Sequence, residues 1–148
     1  MKATATASAA SNSSLAVRVL YADTDQMGVV YHATYLRWFE AGRAHHMRRR
    51  GCTYASLESR GVMLPVVEAG LSYHAPARYD EVLDVSCTAG DIGRAQIRFE
   101  YEISRDGETL VTGFTRHAAL GAGGRPTRLP HDVRGAIAGP ENATGEQS

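Results

Sequence analysis

The chain has 148 residues, 43% of them hydrophobic, which is enough for one core and one domain of ordinary size. Sixteen basic and sixteen acidic residues cancel to a formal net charge of zero, which excludes the broad positive face that nucleic acid or an anionic membrane surface requires. The only lysine, Lys2, lies in an Ala/Ser/Thr-rich terminal stretch, so a Walker-type phosphate loop, a Schiff-base lysine and a Ser-x-x-Lys nucleophile pair are excluded as well.

Residues 1–14 read as a disordered tail without the apolar run of a signal peptide. No stretch reaches the roughly 18 apolar residues needed to cross a bilayer, so a cytoplasmic protein without membrane insertion is expected. Leu15 to Tyr21 alternates with period two, Val17, Val19 and Tyr21 falling on one face, and predicts the first strand. His32 to Arg50 contains no proline and carries Leu36, Phe39, Arg43 and Met47 at three- and four-residue steps, which predicts one long helix. Arg48-Arg49-Arg50 before Gly51 reads as a basic C-terminal cap complementing the helix dipole.

Tyr54 to Arg60 predicts a short second helix and Met63 to His74 a long strand, with Pro65 at an edge or strand start. After a Pro76–Asp80 turn, Val82–Ala89, Ala95–Ser104 and Thr109–Leu120 read as three more strands, the last two joined by an Asp106-Gly107 hairpin. Gly121–Pro130 is a loop, Asp132–Ile137 a last helical turn, and residues 138–148 a polar tail. Strand, long helix, then four strands in antiparallel succession predict an α+β domain over residues 15–137, its sheet folded over one helix. Trp38, Phe39, Tyr35 and Met47 place apolar groups around most of that helix, so a second subunit is expected to share in covering it.

The chemistry concentrates in Tyr21-Ala22-Asp23-Thr24-Asp25-Gln26-Met27-Gly28-Val29-Val30-Tyr31-His32, where an acidic turn runs into the helix start. The first amides of a helix lack intrahelical partners and carry partial positive charge, so a carboxylate beside them can share a site with a polarised carbonyl. That arrangement suits acyl transfer. Asp23 and Asp25 are two apart, and one of them is expected to be structural, capping the turn. Gly28 permits close backbone approach to a ligand, while Tyr31 and His32 add polar groups at the entrance. A thioester suits such a site because its thiol, with a pKa of about 8.5, departs readily without a strong general acid.

The motif Tyr21-x-Asp23-Thr24-Asp25-x-x-Gly28-x-Val30-Tyr31-His32-x-x-Tyr35, followed by Glu40 and Arg43, resembles the hotdog-fold acyl-CoA thioesterases of the 4-hydroxybenzoyl-CoA thioesterase and YbgC-like group. Pro65-Val66-Val67-Glu68 and Pro76-Ala77-Arg78-Tyr79-Asp80-Glu81 also resemble segments of that family, and the likeness covers residues 15–137. It implies a five-stranded antiparallel sheet wrapped around the long helix, and homodimers or homotetramers with active sites between subunits. It further implies an acyl-CoA substrate and no cofactor. Asp25 matches the catalytic carboxylate, as nucleophile or general base, and His32 the residue whose amide polarises the carbonyl. Tyr21 matches a supporting residue, and Arg94 falls near where relatives hold the CoA phosphates, with Arg116, Arg125 and Arg128 as weaker matches.

Competing readings are poorer. Asp23-Thr24-Asp25 fits the Asp-x-Asp of metal-dependent glycosyltransferases, but those enzymes need a larger nucleotide-binding domain. His45 and His46 are adjacent, hence on different helix faces, and Cys52 and Cys87 stand alone as two reduced thiols, so no metal site is written here. A hydratase on the same fold would carry an Asn-Pro between its Asp and His, which is absent. A non-catalytic acyl-CoA-binding protein is the alternative that differs in class, and thiol release discriminates it.

Overall fold

The computed structural model describes residues 12–139, and of the expected tails 1–14 and 138–148 the parts 1–11 and 140–148 lie outside them. Five strands form one sheet: β1 (Asn12–Arg18), β2 (Val66–Tyr73), β3 (Val82–Ile92), β4 (Gln96–Arg105) and β5 (Glu108–Ala118). The helices are α1 (Thr34–Arg49), α2 (Tyr54–Ser59) and α3 (His131–Ala138). Every neighbouring strand pair is antiparallel, in the order β1-β3-β4-β5-β2. The sheet is therefore not laid down in simple succession. β3, β4 and β5 form a meander, whereas β2 crosses to the far edge and pairs with β5, Ala69 opposite Thr115 and Tyr73 opposite Val111.

Period-two burial positions the core. Leu83, Val85 and Cys87 of β3, with Ile97, Phe99, Tyr101 and Ile103 of β4, turn inward and are buried, while Asp84, Glu100 and Glu102 between them are exposed. Against that face lies α1, burying Tyr35, Trp38, Phe39, Gly42, Arg43, His46 and Met47. Phe39 stacks on Tyr101 with ring centroids 4.2 Å apart. At Gly42 the helix approaches the sheet so closely that an added Cβ would lie 2.8 Å from Val85 Cγ1.

The buried positions of α1 form a single broad stripe, and Leu36, Arg37 and Glu40 on the opposite side are exposed. The expectation of an apolar surface around most of the helix is thus corrected. Exposed apolar side chains gather on the edge strand β2 as well, where Val66, Val67 and Tyr73 are each about half exposed.

Boundaries differ from the sequence reading for local reasons. β1 starts at Asn12, three residues early, and ends at Arg18, because Tyr21–Asp23 winds into a 3₁₀ turn instead of continuing the strand. α1 starts at Thr34 rather than His32 and stops at Arg49, where the Gly51 amide bonds to the Arg48 carbonyl and the Cys52 amide to that of Met47. Arg50 is more than a terminal charge. It is 3% exposed and donates to Ser13 Oγ and to the carbonyls of His46 and Gly139, tying β1 and α3 to the end of α1. Asp106 and Gly107 both take positive φ, 50° and 84°, as a two-residue hairpin demands.

Candidate active site

After β1 the chain folds back on itself in a small hairpin. The Tyr31 amide donates to the Asp23 carbonyl, Thr24 bridges Val30, and the Asp25 amide donates to the Val29 carbonyl, each hydrogen bond 2.9 Å long. Gly28 closes the tip with φ 82°, its amide bonded to the Asp25 carbonyl at 2.9 Å. Nothing lies within 4 Å of where its Cβ would be, so glycine here answers to the left-handed backbone. The hairpin rests on the turn before β3 through Val30 N to Ala77 O and Val19 N to Glu81 O, both 2.9 Å.

The two aspartates, equivalent in sequence, separate in the structure. Asp23 is 4% exposed. Its Oδ2 accepts from the Leu20 amide and its Oδ1 from Arg37 Nη2, both at 2.8 Å, so this carboxylate anchors the 3₁₀ turn to α1. Asp25 is half-buried; its Oδ1 accepts from the Met27 amide at 2.9 Å and its Oδ2 has no partner among the described residues. Asp25 thus keeps an anionic oxygen free, two residues from the buried structural carboxylate.

At the other end of the hairpin the His32 and Ala33 amides stand ahead of α1 and donate to no acceptor among the described residues. The His32 carbonyl accepts from the Tyr73 hydroxyl at 2.8 Å. The His32 ring is exposed and lies 4.4 Å from the Tyr31 ring. Tyr21 is 79% exposed and meets Tyr79 edge-on at 5.8 Å. A cavity of about 260 Å³ opens one turn further along α1, lined by Leu36, Arg37, Glu40 and Arg43 and walled by Val66, Ala69 and Thr115 of β2 and β5.

Beneath that cavity runs a polar chain that sequence reasoning did not anticipate, because its members come from α1, α2, β4 and β5. Arg43, 7% exposed, donates to the Tyr54 hydroxyl and, at 2.9 Å, to that of Tyr101. Tyr101 then bonds Thr115 Oγ1 at 2.6 Å, and Thr115 Oγ1 bonds His117 Nε2 at 2.8 Å. His117 Nδ1 faces the Leu64 carbonyl at 2.9 Å and must donate, which leaves Nε2 to accept from Thr115 and Thr115 to accept from Tyr101. Burial, aided by the Arg43 charge and opposed by the Leu64 bond, lowers the His117 pKa to about 4 and keeps the ring neutral.

The structure does not bring every sequence-derived site residue together. Asp25, Gly28, Tyr31 and His32 share one hairpin, whereas Arg94 follows the far end of β3, beside a cavity of about 280 Å³ that it lines with Ala95, Pro126, Thr127 and Arg128. Arg116 lies toward that same end of the sheet, paired with Glu68 at 2.9 Å and bonded to Gln96 Oε1 at 3.1 Å. Among the described residues no three His, Cys, Asp or Glu side chains group as a metal site would need, and no helix is long and apolar enough to cross a membrane.

A family model described as the thioesterase-like superfamily matches residues 19–137 of this sequence. The chain belongs to that superfamily. The sheet wrapped on α1 is the hotdog fold. The acyl-CoA thioesterase YbgC of Haemophilus influenzae is 33% identical over 126 residues, covering 84% of this chain and 93% of that one. The acyl-CoA thioester hydrolase YbgC of an Escherichia coli O6:H1 strain is 33% identical over 95 residues, 64% of this chain and 71% of that one. Among solved structures, a hypothetical protein TT1821 from Thermus thermophilus superposes with a TM-score of 0.81 at 41% identity, covering 85% of this chain and 97% of the other. Family and relatives together make this thioesterase-like chain a thioester hydrolase.

Proposed function

We propose that the protein hydrolyses a short-chain or aromatic acyl-CoA to the free acid and CoA, with Asp25 and the amides at the α1 entrance as the reacting pair. The observation that carries this reading is the hairpin on which a carboxylate with one free oxygen and two unpartnered amides occur together. The thioester oxygen accepts a hydrogen bond from the His32 amide, in line with the general worth of such donors, where losing one costs roughly 10²- to 10³-fold in rate. Asp25 then either takes a proton from a water that adds to the carbonyl carbon, or adds itself to give an acyl anhydride that water opens. In both routes the C–S bond breaks, CoA departs as thiolate and is reprotonated, and the acid is released. The exposed His32 imidazole is the proton carrier, and Tyr21, Gly28 and Tyr31 shape the mouth.

The acyl group occupies the cavity beside Leu36, Val66 and Ala69, and the CoA phosphates are held by Arg94 with Arg128. Asp25 and Arg94 lie toward opposite ends of β3, a strand of 11 residues, so Arg94 serves a site on a neighbouring protomer. The working unit is a homodimer or homotetramer, supported by the half-exposed edge strand β2. A panel of aliphatic and hydroxyaryl acyl-CoA thioesters, read by release of free thiol, tests the function. Turnover of at least one class is expected, and binding without any thiol release would replace hydrolysis with a regulatory or assembly role.

A further inference from the structure

We infer that Tyr73 is a positioning residue for the hydrolysis, acting from the edge strand on the Ala33 amide, which stands beside that of His32 facing the thioester oxygen. The inference rests on the acyl-CoA hydrolysis reading above. Tyr73 ends β2, and its hydroxyl reaches a residue 41 positions away, donating to the His32 carbonyl at 2.8 Å. That carbonyl lies outside α1 and has no other partner among the described residues, so no helical hydrogen bond fixes it.

The geometry of the peptide group gives the bond its consequence. The His32 carbonyl and the Ala33 N–H belong to one planar trans unit and point in opposite directions. A hydroxyl clamped on the carbonyl therefore aims the Ala33 N–H away from Tyr73, whereas the His32 N–H belongs to the preceding peptide, whose carbonyl already accepts from the Thr34 amide. The flanks are already tied, Tyr31 N to the Asp23 carbonyl and Thr34 N to the Tyr31 carbonyl, both at 2.9 Å, so this peptide is the remaining freedom at the entrance. A hydrogen bond accepted by the carbonyl also polarises the N–H on the other side of the unit and makes it a stronger donor.

The ring itself is anchored. Tyr73 meets Tyr35 edge-on at 5.7 Å between centroids, and Tyr35, 3% exposed, meets Trp38 at 5.4 Å in the core. The hydroxyl is thus delivered from a fixed ring, and removing the oxygen alone leaves that packing in place.

The test compares wild type, Tyr73→Phe and Asp25→Asn on an acyl-CoA that the wild-type protein turns over, alongside two CoA analogues that cannot be hydrolysed. One is a thioether, which resembles the ground state, and the other a trifluoromethyl ketone, whose tetrahedral adduct carries the oxyanion. For Tyr73→Phe we expect kcat to fall about tenfold with KM changed less than about twofold, and a fold and thermal midpoint close to wild type. Affinity for the ketone should fall by a similar factor while that for the thioether holds. Undiminished kcat and ketone affinity would overturn the role of Tyr73, and so would equal losses for both analogues, which would mark general loosening of the site. If wild type turns over none of the acyl-CoA thioesters in the panel above, the hydrolysis reading on which the inference stands is refuted instead.

Discussion

Asp23 and Asp25 show how much a neighbourhood decides. Asp23→Asn removes the charge that holds Arg37 and turns an amide toward a guanidinium, at a cost of about 1–3 kcal/mol. Thermal denaturation should then show a midpoint several degrees lower, and an unchanged midpoint would contradict the anchoring role. Asp25→Asn should leave the midpoint nearly unchanged, because its side chain is half-buried and bonds only its own turn. The sequence expects one of the two to be structural, and the family likeness points to Asp25 as the catalytic one, but the burial of Asp23 is not legible, since it depends on Leu20 and Arg37 folding over it. His117 was equally silent in the sequence, its partners Leu64 and Thr115 meeting only in the folded sheet. An unfolded histidine titrates near 6.5 while His117 in the fold titrates at about 4, so between these values the unfolded chain binds a proton that the native protein does not. Stability should therefore fall as pH drops through that window, by at most about 1.4 kcal/mol per pH unit from this group, with no contribution above it. Urea unfolding of wild type and His117→Gln from pH 7.5 to 4.5 should show a shallower slope in the variant, and equal slopes would exclude the histidine as the source.

At the scale of elements, α1 and the Asp106-Gly107 hairpin were readable because their signals are local: apolar steps of three and four, and a dipeptide that tolerates positive φ. The order of the strands was not. β2 pairs with β5 across the intervening β3 and β4, and nothing in the alternation of Val66 to Tyr73 distinguishes that partner from β3. Nor does periodicity reveal that α1 meets the sheet at Gly42, a glycine in mid-helix that propensity alone would count against the helix. Its Cβ-free surface lets Val85 come close, so Gly42→Ala should lower the thermal midpoint despite alanine's higher helix propensity, by the 1–3 kcal/mol typical of overpacking. A more stable Gly42→Ala protein would show that the close contact has slack.

For the whole molecule, the proposed assembly rests on the sheet edge and not on a helix apolar on all sides, the reason first drawn from Trp38 and Phe39. Sedimentation should give a dimer or tetramer, and Val67→Lys, placing a charge on the exposed edge, should shift it toward monomer and lower activity together. A stable, fully active monomer would contradict a site completed between copies. The central claim, that Asp25 is the reacting carboxylate, is tested most directly by thiol release from one acyl-CoA under wild-type and Asp25→Asn protein, with binding of the same ligand measured by calorimetry. Turnover should fall by at least about 10³-fold with binding retained within a few-fold, and full turnover by Asp25→Asn would rule out that role for the carboxylate.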